Sequence, residues 1–212
     1  MSTTQYCQGA VSGSTTCGAG TTPITHPGTS PLVSTWFDTL NGPAPSGASQ
    51  SQLAAEARRA AAYFSPGAAL GQNAQIVVVT PHGASPSGFG TSYCAWHSYT
   101  SGPGVGTIAY TNLPYILDAG ASCGQGFVNV AGGTLDGVSI VEGHEYAETV
   151  TDPLLNAWKD QQGAENGDKC AWINSGQGAA TNLLLGGNRF AVQSLWSNAF
   201  NGGAGGCVTT YP

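Results

Sequence analysis

LDGVSIVEGHEYAETVTD, residues 135–152, is the stretch on which the reading of the fold turns. Leu135, Val138, Val141, Tyr146 and Val150 recur at helical spacing, which predicts a helix over 135–150. It begins after Gly132-Gly133-Thr134 and must stop near Asp152, because Pro153 forbids its continuation. Residues four apart on a helix lie about 40° round the axis and about 6 Å apart at their side-chain bases, so His144 and Glu148 can close on one ion. Glu145, rotated by about 100°, cannot easily join them, yet it can reach a water on the open side of that ion.

The charge pattern points the same way. Seven of the eleven acidic residues fall in one stretch: Glu142, Glu145, Glu148, Asp152, Asp160, Glu165 and Asp168. Clustered carboxylates repel unless a positive charge sits among them, and Lys159 and Lys169 are the only basic residues nearby. A divalent cation is the economical neutraliser, and Zn2+ accepts oxygen as well as nitrogen ligands at about 2.0–2.2 Å. A catalytic zinc needs a third protein ligand. Asp168, twenty residues beyond Glu148, is the choice, with Glu165 its competitor and Asp152 in a capping or supporting role at the helix end.

Outward from this helix, the chain of 212 residues suits one domain with an ample core. Thirty-two glycines and only 8% charged residues describe a loop-rich fold bearing strands. A formal charge of -6 with five Lys plus Arg offers no basic stripe, which excludes nucleic acid as a partner. No apolar run reaches the roughly 18 residues a membrane span needs, so no membrane partner is expected. Six cysteines without CxxC pairs favour disulfides and an oxidising compartment. Fifteen pairings are open, and the sequential one, 7 with 17, 94 with 123 and 170 with 207, is the expectation. Met1 precedes polar residues with no apolar h-region; a signal peptide is either absent or replaced by an initiator Met, and scarce lysine with paired cysteine favours a secreted mature form.

Residues 1–31 read as an extended arm tied by a short disulfide loop, with His26 solvated in it, and 32–212 as a single α+β domain. Val33 to Leu40 and Gln52 to Phe64 carry helical spacing, the second stopped by Ser65-Pro66-Gly67. Gln75 to Thr80, Ser92 to Tyr99 and Thr107 to Thr111 are strand candidates. Leu183 to Leu185 and Phe190 to Val192 fit a loop and hairpin region closing on Cys207. His97, following Trp96 in a strand, either satisfies the core or enters the cleft to polarise a substrate carbonyl.

The order VSTWFDTL (33–40), QIVVVT (75–80), YCAWHSY (93–99), TDPLLNAW (151–158), an acidic stretch ending in Cys170, and FAVQSLWS (190–197) resembles the plant phosphate-induced, or EXORDIUM, family and its bacterial secreted relatives. The resemblance covers roughly residues 32–208 and implies an extracellular protein of a family linked to growth and cell-wall responses, without an established reaction. The helix, with its HExxE pattern, also resembles the active-site helix of zincin peptidases, with a carboxylate in place of the second histidine of HExxH. A distant acid such as Asp168 resembles the gluzincin arrangement. That likeness implies a small mixed sheet packed on the active-site helix, with Thr107 to Thr111 as the edge strand that receives substrate.

The resulting expectation is a zincin-like, disulfide-stapled α+β protein: a secreted, monomeric zinc metallopeptidase acting on peptide or protein substrates. His144, Glu148 and Asp168 hold the metal, Glu145 is the general base and His97 an oxyanion-stabilising residue. The alternative is a non-catalytic extracellular protein binding cell-wall carbohydrate, in which zinc or calcium staples the helix to the acidic loop. A metal-free acid protease would leave His144 without a use.

Overall fold

A computed structural model describes residues 2–25 and 30–210; His26 lies outside them. The elements run β1 (Cys7–Gln8), β2 (Thr22–Pro23), α1 (Gln50–Phe64), β3 (Gln75–Val79), β4 (Trp96–Gly102), β5 (Gly106–Leu113), α2 (Asp136–Thr151), β6 (Thr181–Leu185), β7 (Asn188–Val192), β8 (Leu195–Ser197) and β9 (Gly206–Val208). The architecture is α+β with small sheets joined by long loops, as expected.

The core is a three-stranded mixed sheet in the order β3-β5-β4, with β5 parallel to β3 and antiparallel to β4. Period-two alternation gives it two different faces. Ile76, Val78, Ile108 and Tyr110 pack with Leu53, Ala57 and Ala61 of α1. Each fully buried aliphatic side chain there is worth about 1.5–3 kcal/mol. Leu113 and Val77, on the opposite face, join Val141 of α2 and Ile116. His97 sits opposite Thr111 in the β4–β5 register, so it points to the α2 side. Gln75 donates to Thr111 and to Thr149, tying β3 and β5 to that helix.

Helix α1 begins in a capping box, in which Ser49 and Gln52 satisfy each other's backbone N–H groups. The helix expected over Val33 to Leu40 does not form, and Val33, Phe37 and Leu40 are exposed. Asp38 Oδ1 accepts from the backbone of Leu40 and Asn41, an Asx turn that competes with helical bonding in a segment too short to nucleate alone. The strand expected from Ser92 starts only at Trp96, because Gly90 and Ser92 donate within tight turns and Cys94 is held by Cys123. Thr107 to Thr111 is a further correction: it lies in β5, the middle strand, where β4 pairs all of it and β3 pairs it from Ala109 onward.

All three disulfides take the expected sequential pairing, with Cα–Cα distances of 5.7, 5.5 and 5.7 Å. The N-terminal segment that carries the Cys7–Cys17 loop is packed against the domain: Tyr6 and Ile24, which flank the loop, bury themselves against Trp158, and Gln8 within it donates to the carbonyl of Val150 near the end of α2. The late hairpin β6–β7 turns on Gly186 and Gly187, both at positive φ as a primed two-residue turn requires. Among the described residues no helix is long and apolar enough to cross a membrane.

Candidate metal centre

Helix α2 runs from Asp136 to Thr151, one residue on from the expected bounds and stopping before Pro153; of the expected apolar stripe only Val141 is buried, while Val138, Tyr146 and Val150 are half-buried and Leu135 is exposed. His144 Nε2 lies 3.0 Å from Glu148 Oε1, one turn on, and 3.6 Å from Asp168 Oδ1. Asp168 opens a single 3-10 turn, Asp168–Cys170, and Cys170 is bonded to Cys207, so a disulfide fixes the far side of the site. These three ligand atoms, from His144, Glu148 and Asp168, lie within 4.8 Å of one another. A tetrahedral ion with bonds of about 2.0–2.2 Å has ligand-to-ligand edges of about 3.3–3.6 Å, so the donor set fits zinc.

The surroundings orient the set. Gln193 donates its amide nitrogen to the carbonyls of Gly167 and Ser194, which leaves Oε1 to accept from His144 Nδ1 at 3.2 Å. The imidazole therefore keeps a proton on Nδ1 and turns Nε2 toward the carboxylates. Glu148 Oε1 also accepts from the backbone N–H of Asp168, and Asp168 Oδ2 from that of Glu165. Gly167 is pressed against the ligands, since a Cβ there would sit 2.9 Å from Glu148 Oε1 and 3.0 Å from His144 Nδ1. Asp152 is no ligand. It is wholly buried, and its Oδ1 accepts from the backbone of Asn156 and Ala157, closing the turn after α2.

Neither lysine of the acidic stretch serves the site. Lys169 pairs with Asp160 at 2.7 Å and Lys159 approaches Asp152 at 3.6 Å. Glu145, Glu148, Glu165 and Asp168 are left with two imidazoles. Burial alone would lower the His144 pKa, but the Glu148 hydrogen bond and the charges of Glu148, Glu145 and Asp168 prevail and push it up to about 9. Burial raises Glu145 to about 8, assisted by the charges of Glu148 and Glu142 and opposed by His144 and His97. Burial likewise lifts Glu142 to about 7.

His144, Glu145 and Gln193 line a cavity of about 270 Å³, whose other walls include Tyr93, Ala95 and Trp172. Trp172 holds a positive φ of 56° and meets Phe127 edge-on, so the aromatic wall is braced. His97 is not on this wall. Its side chain is 3% exposed, and its Nε2 faces Glu165 Oε2 at 3.2 Å and Glu148 Oε2 at 3.7 Å. The alternation of β4 turns it inward beneath α2, which denies it the contact with substrate that an oxyanion role needs. Glu165 belongs with His97, whereas Asp168 belongs with His144. Gln193 and Gly167 escape sequence reasoning: the first sits in an irregular stretch after β7, and the second carries no side chain to signal its contact.

Among curated proteins, the chain is similar to Protein EXORDIUM-like 5 of Arabidopsis thaliana, 27% identical over 166 residues. The chain resembles the EXORDIUM family. The match covers 59% of this chain, and the chain spans 45% of that EXORDIUM-like relative's length. No family model matches the chain, and no solved structure matches it significantly.

Proposed function

We propose that the protein is a secreted zinc-dependent peptidase of EXORDIUM-like type, with a helix of the zincin kind. The observation that carries this reading is the convergence of His144 Nε2, Glu148 Oε1 and Asp168 Oδ1 beside a cavity whose wall also holds Glu145. An imidazole and two carboxylates are three protein ligands, the number that would suit a catalytic rather than a structural zinc. Zinc bound there supplies Lewis acidity toward a carbonyl.

His144, held by Gln193, and Glu148, held by the Asp168 N–H, keep their donor atoms in place without rearrangement. With a cation's charge nearby to offset the burial that raises its pKa, Glu145 would be ionised and take a proton from the water that attacks the peptide carbonyl. As the new C–O bond forms and the C–N bond breaks, Glu145 returns that proton to the departing amine. Tyr93 and Trp172 on the cavity wall would offer apolar contact to a substrate side chain. Three disulfides fit an oxidising, extracellular setting.

A casein or gelatin assay with and without chelator tests the activity, paired with Glu145→Gln. The expected result is chelator-sensitive turnover that the variant loses while keeping its zinc. Equal activity in the variant removes Glu145 from the chemistry, and bound zinc without turnover in the wild type favours a metal that only staples helix to loop.

A further inference from the structure

Glu148 has two carboxylate oxygens, and each faces a different histidine. Oε1 is 3.0 Å from His144 Nε2, and Oε2 is 3.7 Å from His97 Nε2. His97 Nε2 is in turn 3.2 Å from Glu165 Oε2, so a second group of three ligand atoms gathers within 4.8 Å on the inner side of the same carboxylate. Its members come from separate elements: His97 from β4, Glu148 from α2, and Glu165 from the loop ahead of the 3-10 turn. The edges of 3.2 and 3.7 Å bracket the value of about 3.3–3.6 Å set by a tetrahedral zinc.

Burial makes the group informative. His97, Glu148 and Glu165 are 7%, 3% and 8% exposed, and no lysine or arginine is paired with any of them. Glu165 Oε1 is buried without a hydrogen-bond partner, although the same carboxylate is aimed at His97 through Oε2. An oxygen stripped of water and left unpaired on an ionised group is strongly unfavourable unless a cation lies against it. His97 and His144 together offer at most two positive charges to the four carboxylates of Glu145, Glu148, Glu165 and Asp168, so a divalent ion supplies charge that the side chains lack.

We propose that His97, Glu148 and Glu165 form a second zinc position, with Glu148 bridging the buried ion and the ion of the His144–Glu148–Asp168 site. The buried ion lies off the cavity wall and does not meet substrate. It fixes the inner oxygen of Glu148, and so the direction of the outer one, and it neutralises Glu165. This inference goes beyond the peptidase reading, because it requires neither Glu145 nor any turnover.

Metal content decides it. The full chain is incubated with excess zinc, freed of loose metal on a desalting column and analysed for zinc per chain, beside Asp168→Asn and Glu165→Gln. The expected result is two zinc ions in the wild type and one in each variant. One ion in the wild type, unchanged in Glu165→Gln and lost in Asp168→Asn, overturns the buried position while leaving the outer site intact. One ion lost in Glu165→Gln and kept in Asp168→Asn upholds the buried position and refutes the outer site. No zinc in any of the three overturns both. Should circular dichroism show Glu165→Gln unfolded, His97→Gln takes its place with the same expected loss of one ion.

Discussion

Gly167→Ala isolates the metal site from the fold. At this position φ is -78° and ψ is -45°, ordinary right-handed backbone, so alanine meets no conformational penalty. Removing glycine from the unfolded chain stabilises by about 0.4–1 kcal/mol where the native conformation suits alanine. The added methyl, however, lands 2.9 Å from Glu148 Oε1, 3.0 Å from His144 Nδ1 and 3.1 Å from His144 Cγ. Both neighbours are held, the glutamate by the Asp168 N–H and the imidazole by Gln193, so each must retreat by several tenths of an ångström. Metal sites tolerate about 0.2 Å in their ligand distances, and disturbing the groups that orient ligands typically lowers affinity about 10- to 100-fold. Competition with a fluorescent chelator reads the zinc Kd, and a thermal melt of the metal-free protein reads the fold. The expected outcome is a zinc Kd raised about 10- to 100-fold with a metal-free melting temperature that shifts little, because the close approach to Glu148 and His144 offsets the gain from removing glycine. An unchanged Kd would refute the reasoning, since it would mean that zinc does not use the ligands Gly167 touches.

Other outcomes follow from the same contacts. In chelated protein His144 is raised from 6.5 to about 9, so its stabilising charge is complete below about pH 6.5 and lost as pH climbs through about 9. Glu142 and Glu145, raised to about 7 and about 8, act in the same direction because burial favours their neutral forms. The melting temperature of the chelated protein should therefore fall between pH 6 and pH 9, and a rise across that window would contradict the assignment. Gly143→Ala, on the exposed side of α2 with nothing within 4 Å of the new methyl, should stabilise by about 0.5–1 kcal/mol in denaturant titration without altering zinc affinity. Replacing Cys170 and Cys207 together by serine opens a bridge spanning 37 residues and should cost about 2–4 kcal/mol in the same titration. It should also weaken zinc binding, because it frees the turn that carries Asp168.

The parts of this account legible in sequence are those set by local rules. The apolar stripe and Pro153 mark α2, and spacing along one helix then makes His144 and Glu148 neighbours. The Gly186-Gly187 turn and the Cys7–Cys17 bridge, with a separation of 10, report local chain reversal and short loop closure in the same way. What depends on tertiary pairing was hidden. Residues 108–113 of β5 are buried throughout, as suits a strand covered on both faces, yet Thr111 and Asn112 interrupt the apolar run that would have announced a central strand. The segment at 33–40 has apolar periodicity but buries little of it: Trp36 stacks on Tyr63 of α1 while Val33, Phe37 and Leu40 stay exposed, and Asp38 turns its backbone instead. His97 and Glu165 were each visible as chemically notable residues. Their meeting required the β4 register and the return of the acidic loop beneath α2, neither of which a linear pattern encodes.

Zinc-edge anomalous diffraction from crystals soaked in zinc tests the central claim most directly. The account predicts a strong peak about 2.0–2.2 Å from each of His144 Nε2, Glu148 Oε1 and Asp168 Oδ1, open toward the cavity lined by Glu145. A map with no peak among these atoms, or with His144 and Glu148 turned away from each other, would contradict it.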